Sequence, residues 1–187
     1  MAVLYSSKLR KIILALILLW SVATFWFSGQ IDFLNWTVSV LGFGTLFLIY
    51  FERSPSTILI FLSFISSYAL YSFLYYFNLP LWVIMLGAFI IFGYLFLYTE
   101  QILAILGSER LIYLLVFNLI ILELFIFLSY VLIDPLNRSL IIGVSSYLFL
   151  GYCLDYVDKN LPQRFLNFIY IFLILLALIL LTTNWQI

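Results

Sequence analysis

The chain has 187 residues, of which eight are Lys or Arg, eight are Asp or Glu and none is His. Charged residues make up 9% and apolar residues 67%, against about 25% and about 45–50% in an ordinary soluble domain, which excludes an aqueous globular fold and points to a bilayer. The missing His and the single Cys153 also exclude imidazole catalysis, His metal sites, intrachain disulfides and CxxC chemistry.

A spanning helix needs about 20 mostly apolar residues, and Pro, Gly, Asn and the scarce charges mark the turns. In chain order this predicts seven spans, at residues 12–28, 34–51, 56–77, 80–99, 111–133, 139–155 and 165–183. The first follows Lys8, Arg10 and Lys11 as a signal peptide would. However, bulky Phe25, Trp26 and Phe27 stand where a small-residue cleavage site would lie, so it reads as a retained helix. Between the fourth and fifth spans, Ile102, Leu103, Ile105 and Leu106 fit either a short interfacial helix or a fourth helix that runs on until Gly107. The other connections are short, as between antiparallel neighbours. The expected fold is therefore an all-α integral membrane protein, one compact bundle of seven transmembrane helices forming a single polytopic domain over residues 1–187.

Basic residues orient the bundle. With a cytoplasmic N-terminus, seven of the eight (Lys8, Arg10, Lys11, Arg53, Arg110, Lys159 and Arg164) lie inside, and Arg138 alone lies outside, marking a helix end. Trp26, Trp36, Trp82 and Trp185 fall at the outer ends and Tyr50, Tyr98 and Tyr113 near inner ends, as interfacial aromatics should. The expected C-terminus is outside, and a prokaryotic cytoplasmic membrane fits this arrangement.

Three features recur in the same order. Pro55, Ser66-Ser67-Tyr68 and Asn78-Leu79-Pro80 return as Pro135, Ser145-Ser146-Tyr147 and Asn160-Leu161-Pro162, at offsets of 80, 79 and 82 residues. A 1+3+3 arrangement with inverted halves would produce this pattern. Common turn residues in a chain rich in Ser and Tyr would also produce it, and both accounts stay open at this level.

Seven of the eight acids lie near a predicted interface, and the eighth, Glu123, sits in the middle of the fifth span. An ionised carboxylate there costs at least ~2.5 kcal/mol on insertion scales. Glu123 is therefore expected to face the bundle and to be protonated, hydrogen-bonded or ion-bound. No Lys or Arg shares its depth, so its partners are expected to be neutral. Ser63, Ser67, Tyr71 and Tyr75 recur every four residues in the third span, as do Gly143, Tyr147, Gly151 and Asp155 in the sixth, with Ser145 and Ser146 beside them. Such spacing makes a stripe along one helix face. The expected polar site thus combines Glu123, Asn118, Ser67, Tyr71, Ser146 and Tyr147, without metal or cofactor.

Function is less directly written. A Ser nucleophile lacks a base, and no pair of acids sits at mid-depth for hydrolytic chemistry, so an enzyme is the least favoured class. The cytoplasmic basic residues are interleaved with Glu52, Glu109 and Asp158 and give no continuous surface for nucleic acid. The leading expectation is a non-enzymatic accessory or assembly subunit that meets lipids, partner subunits or a second copy of itself within the bilayer. The alternative is a small proton- or cation-coupled transporter that uses Glu123.

Overall fold

A computed structural model describes residues 7–28, 32–103, 110–131, 133–157 and 162–182. Seven helices form: α1 (Ser7–Phe27), α2 (Asp32–Phe51), α3 (Pro55–Tyr76), α4 (Leu81–Leu103), α5 (Arg110–Tyr130), α6 (Pro135–Val157) and α7 (Pro162–Thr182), with no strand among the described residues. Five of them, α1 to α5, are long and apolar enough to cross a membrane, and the chain is an integral membrane protein. The most polar of the seven is α6.

Proline sets several of the helix starts. Pro55, Pro135 and Pro162 each occupy the first helical position, where the ring's fixed φ suits the helix and the missing N–H would have had no partner. Pro80 directly precedes α4, and its carbonyl accepts the Val83 N–H at 3.0 Å. The reversal into α3 puts Glu52 and Ser54 at φ 52° and 50°, and the reversal into α4 puts Asn78 at φ 48°. Asn tolerates that left-handed backbone better than most residues. α4 runs to Leu103, four residues beyond the predicted end. Ile105, Leu106 and Gly107 lie outside the described residues, as do Asn160 and Leu161.

α3 is the centre of the assembly and is buried nearly all round, with Ile58, Leu62, Ile65 and Tyr68 inaccessible and Leu70 buried. It packs most extensively on α6, then on α4 and α1. The α3–α6 pair is antiparallel: Arg138 meets Tyr75, Ser139 meets Ser67, and Gly143 lies opposite Phe64 and Ile60. A Cβ on Gly143 would stand 3.0 Å from Phe64 Cβ and 3.6 Å from the Ile60 carbonyl oxygen. Small residues permit this kind of close approach between membrane helices.

α1 lies along α3 with Leu14, Leu18, Ser21 and Phe25 buried, at spacings of four, three and four residues. The Ser21 hydroxyl is 3.4 Å from that of Ser66, and the Phe25 and Tyr68 rings are 4.5 Å apart. α2 runs back antiparallel to α1. At one end Lys11 pairs with Glu52 at 3.3 Å; at the other the Trp26 indole N–H donates to the Ser39 hydroxyl at 2.8 Å. The basic end and the tryptophan end of this helix pair are therefore opposite ends. Beyond the centre, α7 packs on α6, and α5 packs on α4 and α6.

Candidate functional site

The buried positions of α5 are Phe117, Asn118, Ile121, Phe125 and Leu128. Glu123 is two residues from Ile121, about 200° around a helix of 3.6 residues per turn, and it is exposed. This corrects the expectation that it faces the bundle. The inward polar position on α5 is held by Asn118, and Glu123 projects from the opposite side.

That side opens on a groove of about 750 Å³ between α5, α6 and α7. α5 contributes Val116, Ile120, Glu123 and Phe127 to its wall. Facing them are Ser145, Leu148 and Tyr152 of α6 and Phe172 of α7. The walls are almost wholly apolar, with a carboxyl at mid-helix. Among the described residues no side chain donates a hydrogen bond to that carboxyl and no Lys or Arg pairs with it. The Ser145 hydroxyl returns its hydrogen bond to the Ile141 carbonyl of its own helix, at 2.8 Å, which leaves the Glu123 carboxyl and the Tyr152 phenol as the other polar groups of the groove wall.

The other expected site residues divide between two places. Asn118 lies under α4, donating to the Leu114 carbonyl at 3.1 Å, and its Oδ1 lies buried without a hydrogen-bond partner. A Cβ on Gly93 would come within 3.0 Å of its Nδ2, so Asn118 occupies space that the glycine leaves. Ser67 and Ser146 are fully buried. Ser67 is 3.4 Å from the Ser139 carbonyl oxygen, and Ser146 bonds to the Ile142 carbonyl of its own helix at 3.0 Å. Tyr71 is inaccessible, whereas Tyr147 is half-buried. The Asp155 side chain lies outside the described residues. The structure thus brings Ser67 and Tyr71 together in the α3–α6 seam and leaves Glu123 apart from them.

At the end of that seam sits a group that was expected only to mark a helix end. Arg138, in the first turn of α6, is 4% exposed. Its Nη1 donates to the Tyr75 hydroxyl, and its Nη2 donates to the Val131 carbonyl at 2.7 Å. The guanidinium lies 4.8 Å from the Tyr75 ring centre and 5.6 Å from that of Tyr71. Asp134 does not neutralise it: its carboxylate accepts from the Asn137 backbone N–H at 3.2 Å and from Asn137 Nδ2 at 2.6 Å, capping the start of α6. Aromatic faces and neutral oxygens therefore hold this cation, as the ring quadrupole permits. The sequence carried one signal for it, two tyrosines four residues apart on the neighbouring helix.

Tyr71 joins three helices. Its ring stacks on Phe125 at 4.1 Å, its hydroxyl donates to the Phe125 carbonyl at 3.0 Å, and its face is turned to Arg138. Tyr71→Phe keeps the stack and loses the hydrogen bond. The expected result is a loss of about 0.6–1.7 kcal/mol, the scale measured for side-chain hydrogen bonds between membrane helices, seen as a lower unfolding midpoint in mild detergent.

Comparison with protein families, with curated proteins and with solved structures gives no match to this chain.

Proposed function

We propose that this protein is a non-enzymatic accessory or assembly subunit that recognises a partner inside the bilayer, through the groove between α5, α6 and α7. In this reading all seven helices cross a prokaryotic cytoplasmic membrane, with the N-terminus inside and the C-terminus outside. The end that gathers Lys11 and Glu52 then faces the cytoplasm, and the end that carries Trp26 and Trp36 faces out.

One observation carries the reading: an exposed carboxyl at mid-helix in an apolar groove. A charged group at the bilayer centre is costly wherever it sits. Turned away from the core, Glu123 is no part of the chain's buried packing, and among the described residues no side chain hydrogen-bonds to it. A partner's side chain would satisfy it. The alternative, a proton- or cation-coupled carrier, would place the midplane carboxyl among the polar groups of both helix triplets. The separation of Glu123 from Ser67 and Ser146 favours recognition over transport.

The test is gentle solubilisation of the wild type and of Glu123→Gln, followed by native mass spectrometry. The wild type is expected to retain a protein partner and the variant to lose it. Glu123→Leu is expected to leave the thermal midpoint unchanged or raise it, since it removes a group that costs at least ~2.5 kcal/mol at a helix centre. A lone protomer with lipid would overturn the reading, and a variant that unfolds would return Glu123 to a structural role.

A further inference from the structure

We propose that the groove receives a single transmembrane helix of another protein, one with a Lys or Arg at the depth of Glu123 and a small side chain facing Ser145. This rests on the reading that the groove is a recognition surface, and it specifies what fits there.

The walls have the form that a helix requires. On α5 the lining residues Val116, Ile120, Glu123, Leu124 and Phe127 are spaced by four, three, one and three positions; on α6, Ser145, Leu148, Phe149 and Tyr152 are spaced by three, one and three, one face of each helix. Seams of this spacing accept the side chains of a neighbouring helix over successive turns. The α5 wall extends over twelve residues, about 16 Å of helix at 1.5 Å rise per residue. A lipid tail could cover the apolar part. However, it brings no hydrogen-bond donor to the midplane, where Glu123 stands, whereas a basic side chain on a helix does. Ionisable groups within a membrane characteristically pair with one another.

The chain contains its own precedent. α2, α3 and α4 correspond to α5, α6 and α7 in their packing: each middle helix contacts the helix before it and, more extensively, the helix after it, and the two middle helices form the central seam. The serines of the recurring Ser-Ser-Tyr motif lie at matching places, whereas Tyr68 is buried and Tyr147 half-buried. Ser67 and Ser146 are fully buried. Ser66 faces α1, where Ser21 lies 3.4 Å away, and Ser145, its counterpart, faces the groove. α1 therefore occupies, beside α2, α3 and α4, the place that the groove occupies beside α5, α6 and α7. α1 fills its place with Leu14, Leu18, Ser21 and Phe25, an apolar stripe with one small hydroxyl residue set against the motif serine. The occupant of the groove takes the same form, with a cation added for Glu123. As α1 runs parallel to α3, the occupant runs parallel to α6.

The experiment places a photocrosslinking side chain in the full chain, in its native host, at Leu148 in the groove or at Phe43 on the exposed face of α2. Any adduct is then mapped by peptide sequencing. At Leu148 the expected adduct is one apolar segment of about 20 residues with a Lys or Arg in its middle third. Its yield should fall about tenfold in Glu123→Gln, and it should vanish in Ser145→Phe. In a second arm, the purified chain in nanodiscs is offered a Leu-Ala transmembrane peptide with a central Lys, or the same peptide with a central Leu. Only the Lys peptide should label Leu148 strongly, and it should lose that advantage in Glu123→Gln. Equal labelling by both peptides, or an adduct segment without a basic residue, overturns the proposal. A partner captured at Phe43 and not at Leu148 overturns it together with the groove as the recognition surface, and leaves standing only the broader role of an accessory subunit. Lipid adducts alone at both positions overturn both.

Discussion

Replacing Arg138 with Met is expected to lower the unfolding midpoint in detergent, by the equivalent of about 2–3 kcal/mol, and replacing it with Lys is expected to do at least as much harm. The guanidinium holds four things at once: the Tyr75 hydroxyl, the Val131 carbonyl, and the faces of Tyr75 and Tyr71. Hydrogen bonds to charged groups contribute about 1.5–3 kcal/mol each in water and less between membrane helices. A cation over an aromatic face adds about 0.5–2 kcal/mol, depending on desolvation. Against these stands the cost of keeping a charge away from water without a carboxylate beside it, so the net is smaller than the sum. Met loses the contacts and the charge together. Lys keeps the charge but has no planar fork to bridge Tyr75 and Val131, and no flat face to lie between the rings. The informative result is the order of the two variants. A Lys variant close to wild type, with a severely unstable Met variant, would show that charge alone matters and that the aromatic bracket does not.

The second large effect is expected at Gly143. In Gly143→Leu the new Cβ meets Phe64 Cβ at 3.0 Å and the Phe64 Cα at 3.5 Å. These atoms belong to a helix buried on nearly every side, so they have little freedom to move aside. Overpacking of this kind costs about 1–3 kcal/mol, and here it acts on the seam that joins the two halves of the chain. Gly44→Leu is the matched control. A Cβ on Gly44 meets nothing within 4 Å, and Leu is the better helix former, so its unfolding midpoint should hold or rise. Thermal melts of the two purified variants decide the matter, and equal losses would show that helix-interior glycine as such, and not the α3–α6 approach, is the critical feature.

Much of the fold was legible because its punctuation is chemical. Pro55, Pro135 and Pro162 open helices in any solvent, and helix ends fall close to the charges and turn residues that mark them. The direction in which side chains point was not legible, and Glu123 shows why. In water an amphipathic helix declares its buried face by its apolar stripe. In a bilayer lipid and protein interior are equally apolar, so α5 is greasy all round and its sequence does not say which side faces the bundle. Ser145 and Ser146 make the same point: adjacent residues about 100° apart on the helix, one opening on the groove and the other buried. Arg138 was misread for a different reason. Its burial is a property of Tyr75, 63 residues earlier, and no local pattern around Arg138 encodes it.

The Arg138 bracket also bears on how the chain is made. α6 is the least apolar of the seven helices and carries an arginine in its first turn, which sets a condition on the proposed reading in which all seven helices cross the membrane. Judged alone it is a poor candidate for insertion, because a cation moving toward hydrocarbon must leave its hydration behind. Synthesis delivers α3 first, however, with Tyr71 and Tyr75 already in place. In the seven-span reading, α6 would arrive at a membrane that already contains the receptor for its charge. Its insertion would then be a docking event onto α3, with the order of elements along the chain acting as a biogenesis programme.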